Sequence, residues 1–220
     1  MSFRANIPPT ARFVVQSSDG RLFAPAAEKN AGPITELVKQ FAPEIGQALE
    51  IASGTGQHIV KLAVVKPNLN WQPSDIDQLR IASIETWCKD HDFLNVKPPV
   101  ILNATEIGWS SKFNCQTFIL LINLFHLISD DEAQILISEI SAALVPGGRS
   151  IIYGPFKRDN ELTSAGDQTF HRSLVEADSQ IGYKSDAWMT AKFKEAKLKL
   201  LKVVLMPANN LAFVCEKPHV

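Results

Sequence analysis

Cysteine is scarce in this 220-residue chain, and neither sign of charge is in large excess. The three cysteines, Cys88, Cys115 and Cys215, are far apart and odd in number, so the sequence predicts neither a disulfide framework nor a Cys-x-x-Cys metal site. The formal net charge of −1 argues against broad electrostatic binding to nucleic acid. We therefore expect no metal and no nucleic-acid partner.

Long hydrophobic runs are also missing from the sequence. No run approaches the roughly 20 apolar residues that span a bilayer, and the N-terminus lacks the apolar core of a signal peptide. We therefore expect a cytoplasmic protein with no membrane partner. A content of 45% hydrophobic residues suits one domain with a full core. Prolines and a mixed pattern near the start separate an N-terminal arm at residues 1–25 from a folded domain at residues 26–220.

What the chain does contain is a glycine loop at residues 49–58, Leu-Glu-Ile-Ala-Ser-Gly-Thr-Gly-Gln-His. The short apolar run that ends at Ile51 predicts a buried parallel strand, and the apolar spacing after Gln57 predicts a helix. A loop between such elements presents free N–H groups at a helix N-terminus, and Gly54 and Gly56 let a ligand approach the backbone. The segment therefore predicts a nucleotide-binding loop.

The residues around the two glycines narrow the class of nucleotide. The dinucleotide fingerprint needs a third glycine three residues after the second, and position 59 is Ile. A phosphate-binding P-loop needs Gly-Lys-Ser or Gly-Lys-Thr after a longer spacing, and the chain has no such run. This excludes the P-loop and disfavours a NAD-dependent oxidoreductase, which stays as an alternative.

Short apolar segments alternate with helical patterns along the rest of the chain. Strands are predicted at residues 48–51, 70–74, 100–103, 118–122 and 150–153, and helices at 34–41, 57–66, 78–88, 132–144, 169–177 and 185–197. This alternation implies a parallel sheet with helices on both faces. Two last strands, 198–206 and 211–216, predict an antiparallel C-terminal hairpin. The predicted fold is a single α/β Rossmann-like domain with a mostly parallel seven-stranded sheet.

Ligands of such sheets bind beyond the carboxyl ends of the strands, so residues there are candidates. Asp75 follows the second strand, about 20 residues after the glycine loop, where an acid can accept hydrogen bonds from both ribose hydroxyls. Asp75 or Ser74 could instead cap the following helix. The full set of cofactor-binding candidates is Asn30, Glu50, Ala52, Gly54, Gly56, Asp75, Ile76, Asn103, Ala104, Asn123 and Leu124.

Glu50 followed by Gly54 and Gly56 resembles the first motif of class I S-adenosylmethionine (SAM) methyltransferases. Further blocks make the chain similar to the small methyltransferase-like family that includes methyltransferase-like protein twenty-six. These blocks are Pro-Ala-Ala-Glu-Lys-Asn at 25–30, the glycine loop, Trp-Gln-Pro-Ser-Asp at 71–75, Tyr-Gly-Pro-Phe at 153–156 and Met-Pro-Ala-Asn-Asn-Leu at 206–211. The resemblance implies the class I methyltransferase fold and a pocket for SAM, with S-adenosylhomocysteine (SAH) as product.

The resemblance also implies roles for particular residues. It places the glycine loop under the methionine part of SAM, Asn103 and Ala104 near the adenine, and Asn123 and Leu124 beside the cofactor. Asn30, which could instead cap the first helix, would reach the amino-acid end of SAM. Residues 166–186, which we call the roof segment, depart from that family. A substrate shared with distant relatives is therefore not expected.

SAM carries an activated methyl group, so the protein's main task is to hold an acceptor in line with it. His126, predicted at the mouth of the sheet, could act as a base towards the acceptor, although it could also pack against the next helix. Tyr153 could orient the acceptor or stack on the sulfonium, or simply cover the core. We predict a SAM-dependent methyltransferase with an unidentified small-molecule or protein acceptor. A catalytically silent SAM-binding scaffold is the alternative.

Overall fold

The computed structural model describes residue 8 and residues 14–219. The predicted arm at residues 1–25 lies partly outside them, but its described part contains a short antiparallel hairpin of β1 (Val15–Gln16) and β2 (Leu22–Phe23). The elements that follow are α1 (Pro25–Phe41), β3 (Gly46–Ile51), α2 (Gln57–Val65), β4 (Leu69–Asp75), α3 (Gln78–Lys89), β5 (Val100–Ile101), β6 (Gln116–Ile122), α4 (Asp130–Ala143), β7 (Leu144–Pro155), α5 (Ala165–Ala177), α6 (Asp186–Glu195), β8 (Lys199–Leu205) and β9 (Asn210–Glu216).

Strands β3 to β9 form one seven-stranded sheet in the order β5-β4-β3-β6-β7-β9-β8. Strands β4, β3, β6 and β7 pair in parallel with their neighbours, whereas β9 is antiparallel to both β7 and β8. The predicted mostly parallel sheet with an antiparallel C-terminal hairpin is confirmed. Strand order reverses between β3 and β6, and open α/β sheets bind their ligands in the crevice at such a reversal.

Strand β6 is buried on both faces, which explains why residues 118–122 are an uninterrupted apolar run. Phe118 and Leu120 pack towards α1, α2 and α3, whereas Ile119 and Leu121 pack towards α4 and α6. Both faces of the strand are therefore covered, as is typical of parallel sheets. Burying each such side chain contributes about 1.5–3 kcal/mol relative to leaving it exposed. The two cores hold the carboxyl edge of the sheet in place.

Helix α1 begins at Pro25, nine residues before its predicted start at Ile34. Pro25 suits the first turn because its fixed φ matches the helix and its missing N–H has no partner there, and Glu28 favours the positive end of the helix dipole. Pro33 lies inside the helix and interrupts the pattern read from the sequence. A continuous buried face that includes Ala31 and Ile34 nevertheless holds the helix together.

Two further predictions differ from the structure. The apolar spacing of α3 predicts a buried face that includes Leu79 and Ile84. Ile84 is buried as predicted, whereas Leu79 is 70% exposed and Ile81 faces the core. Leu79 lies in the first turn of the helix, where its N–H donates to the capping carboxyl of Asp77. Strand β5 ends at Ile101 rather than at Asn103, whose side chain accepts hydrogen bonds from the backbone N–H and hydroxyl of Thr105 and turns the chain.

Within residues 14–219, no helix is long and apolar enough to cross a membrane.

Candidate functional site

A cavity of about 360 Å³ lies at the crevice between β3 and β6. The carboxyl ends of these strands and the glycine loop form part of its wall, and the start of α1 with the chain before it forms another part. Five of the predicted cofactor-binding residues line it: Glu50, Ala52, Gly54, Asn123 and Leu124. The structure therefore brings together residues from two strand ends that are about 70 positions apart in the sequence.

The backbone of this wall is unusual at both strand ends. Ala52 after β3 and Asn123 after β6 have positive φ angles of 54° and 57°. Such conformations cost of order 1–3 kcal/mol in a residue such as alanine and cluster at ligand sites. Gly54 also has a positive φ, of 62°, which glycine adopts without strain. The local conformation supports a site built for close approach of a ligand to the backbone.

Gly56 lies against α3 and not on the cavity wall, and its φ is 94°. Its predicted contact with the cofactor stays a prediction. A Cβ at this position would lie 2.9 Å from the Cα of Ile84 on α3. Gly56 therefore allows α3 to pack closely on the loop, and any other residue would push the two apart.

Asp75 at the end of β4 holds the glycine loop from behind. Its Oδ2 accepts a hydrogen bond from the N–H of Gly54 at 2.9 Å, its Oδ1 accepts one from the N–H of Asp77 at 3.0 Å, and Arg80 lies 3.7 Å from Oδ2. Burial raises the pKa of Asp75, against the opposing effect of Arg80 and these hydrogen bonds. The cap of α3 is Asp77, so the alternative that Asp75 or Ser74 caps it is wrong. A ribose-binding role stays a prediction.

Glu50 is the most unusual group on the cavity wall. Its side chain is 1% exposed, and neither carboxyl oxygen has a hydrogen-bond partner among the described residues. Burial raises the pKa of Glu50 to about 8, while the nearby Ser53 hydroxyl lowers it and the Asp75 charge raises it further. A buried carboxylate without a partner is costly, so this group is suited to pairing with a cationic ligand.

His58 also lines the cavity, although the sequence pattern indicated a structural role on the first turn of α2. Its Nε2 lies 2.8 Å from Oδ1 of Asn30 on α1. Burial lowers the pKa of His58 to about 4, Lys61 lowers it further and Glu28 opposes both. Asn30 lies inside α1, so the alternative that it caps this helix is wrong. Its partner is 28 positions away, which no local pattern indicates.

Tyr153 at the end of β7 is 1% exposed and does not line the cavity. Burial raises the pKa of its hydroxyl, and hydrogen bonds from the side chains of Asn30 and Asn210 oppose this shift. The predicted role of Tyr153 in orienting an acceptor stays a prediction.

His126 is not at the mouth of the sheet, and that expectation is wrong. The chain turns after Asn123 into one short 3-10 turn, Phe125–Leu127, which directs His126 beneath α5. The imidazole is 6% exposed and packs against the rings of Phe170 and Tyr183 at centroid distances of 5.6 and 6.2 Å. Burial lowers its pKa to about 3, and Lys184 adds to this shift. A role as base stays a prediction, and this position disfavours it.

Three further cofactor-binding candidates lie outside the cavity: Ile76, and the two residues predicted near the adenine, Asn103 and Ala104. Ile76 is 37% exposed at the end of β4. Ala104 is buried, and its carbonyl accepts a hydrogen bond from Nε1 of Trp109. The amide oxygen of Asn103 is already bonded to Thr105. Contacts of these residues with a ligand stay predictions.

Several lining residues carried no signal in the sequence, among them Val14, Ala24 and Leu127. The chain before α1 is tied down by hydrogen bonds from the Leu22 N–H to the Ser83 hydroxyl and from the Trp87 indole to the Leu22 carbonyl. These contacts join segments more than 60 positions apart, so the hydrophobic pattern does not reveal them. In residues 14–219, no group of three or more His, Cys, Asp and Glu side chains is placed to hold a metal ion.

Solved methyltransferase structures share this fold. An O-methyltransferase family protein from Burkholderia thailandensis is 17% identical with a TM-score of 0.73 over 88% of this chain and 57% of that chain. Human N-acetylserotonin methyltransferase in complex with SAM is 11% identical with a TM-score of 0.69 over 88% and 53%. An O-methyltransferase family 2 protein from Planctomyces limnophilus in complex with apigenin is 14% identical with a TM-score of 0.71 over 87% and 60%.

The chain spans a little over half the length of these structures, and at such identities the likeness establishes the fold alone. The predicted class I methyltransferase fold is therefore confirmed. Residues 21–217 match the family described as a protein of unknown function, DUF938. This match covers nearly the whole described chain, including the glycine loop and the cavity wall from Ala24 onwards, and the protein therefore belongs to the DUF938 family.

Proposed function

We propose that this protein is a SAM-dependent methyltransferase that transfers the methyl group of SAM to a small-molecule acceptor and releases SAH. The observation that carries the proposal is the buried, unpartnered Glu50 carboxyl on the cavity wall at the β3–β6 crevice. SAM and SAH each carry an ammonium group, which would supply the cation that this carboxyl lacks. The resemblance to the methyltransferase-like protein twenty-six family and the fold of the O-methyltransferases support the same proposal.

The residues of the site fit this cofactor. SAM supplies a methyl group activated on a sulfonium, so the chain's own contribution is binding and orientation. Glu50 pairs with the ammonium, the Gly54 backbone held by Asp75 gives the amino-acid chain a close surface, and Asp75 accepts from the ribose hydroxyls. Asn123 and Leu124 then separate the cofactor from the acceptor.

The lining of the cavity favours a small, partly apolar methyl acceptor. Val14, Leu124 and Leu127 contribute apolar side chains to the wall, and the chain before α1 closes one side. Apolar walls with a few polar groups are typical of sites for small molecules. A protein side chain would have to enter between α1 and the residues after β6. We therefore favour a free small molecule over an exposed protein residue.

Methyl transfer tests the proposal directly. Wild-type protein is incubated with SAM that carries a labelled methyl group and with the small-molecule fraction of a cell extract, and the labelled products are separated. We expect at least one labelled product that disappears with Asp75→Ala. NADH that binds tightly and is not displaced by SAH would instead favour the oxidoreductase.

A second candidate function, a catalytically silent SAM-binding scaffold, is favoured by one observation. His58 has a pKa lowered to about 4, and His126 lies away from the cavity. Neither imidazole is placed and tuned to remove a proton at neutral pH, when the ideal base has a pKa near the operating pH. SAH binding without methyl transfer to any extract fraction would support the scaffold.

A further inference from the structure

The two ring nitrogens of His58 have different surroundings. Nε2 lies 2.8 Å from Oδ1 of Asn30, and an amide oxygen can only accept a hydrogen bond. Nε2 therefore carries the hydrogen. Nδ1 is left with a lone pair, and no residue within 14–219 forms a hydrogen bond to it. His58 lies on the cavity wall and is 7% exposed, and Nδ1 is not among the fully buried polar atoms that lack a partner. This lone pair is therefore open to a ligand.

The contact with Asn30 also decides which tautomer of His58 is present. Its amide oxygen faces Nε2 of His58, and the Asn30 side chain lowers the pKa of the Tyr153 hydroxyl on β7. An amide nitrogen directed towards that hydroxyl leaves the amide oxygen to accept from Nε2. Asn30 on α1 therefore selects the tautomer of an imidazole on α2.

The charges around His58 indicate which ligand group its lone pair suits. Glu50 lies on the same cavity wall and, like Nδ1, offers only an acceptor once ionised. Glu28 on α1 and Lys61 on α2 pair with each other at 3.2 Å on the exposed surface, and the lining cation Arg80 lies beside Asp75. Two acceptors on one wall suit a group with several N–H donors and a positive charge, whereas a carboxylate would find no donor in either of them.

We infer that Nδ1 of His58 accepts a hydrogen bond from the ammonium group of the ligand's amino-acid part, with Asn30 as the positioning residue that fixes the His58 tautomer. The inference rests on the proposed function, since SAM and SAH are the ligands that bring this ammonium. It adds a binding residue on α2 whose tautomer is set by a residue on α1.

Two substitutions of His58 test the contributions of its two ring nitrogens separately. Gln places its amide near the position of Nε2 and keeps the contact with Asn30, whereas Asn places its amide near the position of Nδ1. The ligands are SAH and a deaminated SAH in which hydrogen replaces the amino group, and calorimetry measures each Kd. A hydrogen bond to a charged group is worth about 1.5–3 kcal/mol, so His58→Gln should weaken SAH binding by about tenfold or more. Deaminated SAH should change by less than about threefold, and His58→Asn should restore part of the affinity for SAH.

Nuclear magnetic resonance of the ¹⁵N-labelled imidazole gives a second measurement that needs no ligand. The His58 signals, assigned by their loss in His58→Gln, should have the pattern of the Nε2–H tautomer, and Asn30→Leu should remove that preference. A hydrogen on Nδ1 in the wild type would overturn the inference. So would an equal loss of affinity for both ligands in a folded His58→Gln protein. Wild-type protein that is folded and binds neither ligand would overturn the proposed function as well.

Discussion

The glycine loop and the roof segment each follow the carboxyl end of a strand, but their polar groups are bonded differently. In the roof segment, the hydroxyl of Tyr183 donates to Asp167 at 3.2 Å, and its N–H donates to Nδ1 of His171 at 3.1 Å. The buried ammonium of Lys184 donates to the carbonyl of Ile128 at 2.8 Å. By contrast, the glycine loop leaves the Glu50 carboxyl without a partner among the described residues.

This difference assigns stability to the roof segment and ligand binding to the glycine loop. A roof segment whose polar groups bond to the protein itself contributes stability, and none of its residues lines the cavity. A loop that keeps a buried carboxyl and an imidazole lone pair free on a cavity wall is less stable alone and gains most from a ligand. Substitutions in the roof segment should therefore change the free energy of unfolding, and substitutions at the loop should change affinity for SAH.

The largest effect on affinity is expected from Asp75→Ala. The substitution removes the acceptor for the Gly54 N–H and the proposed acceptor for the ribose hydroxyls, and charge-assisted hydrogen bonds are worth about 1.5–3 kcal/mol each. We expect the Kd for SAH to rise by about 100-fold, measured by calorimetry. Asp77→Ala is the matched control, because the Asp77 carboxyl caps α3 by accepting from the Leu79 N–H, whereas the acceptor for the Gly54 N–H is Asp75. It should cost about 1 kcal/mol of stability and leave the Kd unchanged. Equal losses of affinity in both variants would contradict this assignment.

Lys184→Met tests the prediction that substitutions in the roof segment change stability and leave affinity for SAH unchanged. Met keeps most of the apolar stem but leaves the carbonyl of Ile128 without this donor and Asp130 without its buried ion-pair partner at 3.0 Å. We expect a loss of about 2–3 kcal/mol in the free energy of unfolding by urea, with the Kd for SAH within about twofold. Lys192→Met, which removes a surface pair with Glu195 on α6, should cost less than about 0.5 kcal/mol. A large change in Kd with Lys184→Met would place the roof segment in cofactor binding.

Glu50 should link SAH binding to proton release. Its pKa is raised to about 8 by burial, so the ligand-free carboxyl is mostly protonated at pH 7, and a bound ammonium would favour the carboxylate. Calorimetry in two buffers of different ionisation enthalpy should measure close to one proton released per SAH at pH 6.5, falling towards zero above pH 9. Glu50→Gln should abolish the release. Proton uptake, or none in the wild type, would contradict the pairing.

The same group gives a pH dependence to the ligand-free protein. A pKa raised above the ordinary value of 4.5 means that the folded state binds the proton more tightly than the unfolded state. The stability from this group is therefore present at low pH and is lost as the pH rises through 8. We expect Glu50→Gln to remove most of the fall in Tm between pH 6 and pH 9.

The smallest effect is expected at His126, whose Nδ1 is buried without a partner among aromatic rings. His126→Phe should raise stability by about 1 kcal/mol at pH 7 and leave the Kd for SAH unchanged. Its pKa, lowered to about 3, means that only the unfolded state binds the proton between pH 6.5 and 3. The wild type therefore loses stability as the pH falls through this range, and the variant should lose less. His171→Phe is the contrast, because His171 accepts from the Tyr183 N–H and its loss should be destabilising.

The sequence predicted what depends on local pattern. The run at residues 118–122 indicates a buried strand because both faces of β6 are covered, and the acid and glycines at 50–56 mark the cavity because strand order reverses there. What it missed depends on contacts distant in the chain. The pairing of His58 with Asn30, and the burial of His126 under α5, follow from how α1 and the roof segment pack on the sheet. The early start of α1 was also missed, because Pro33 interrupts the helical pattern in the sequence. The helix continues through Pro33 because its buried face outweighs one missing hydrogen bond.

Titration of SAH into the wild-type protein tests the central claim most directly. A cavity that brings together the Gly54 backbone and the unpartnered Glu50 carboxyl should bind one SAH per chain with a Kd in the micromolar range. At a ligand concentration of about 100 times Kd, the native state gains about 2.7 kcal/mol, so Tm should rise by roughly 5–10 °C. No heat of binding and no rise in Tm at millimolar SAH, with the protein folded, would contradict it.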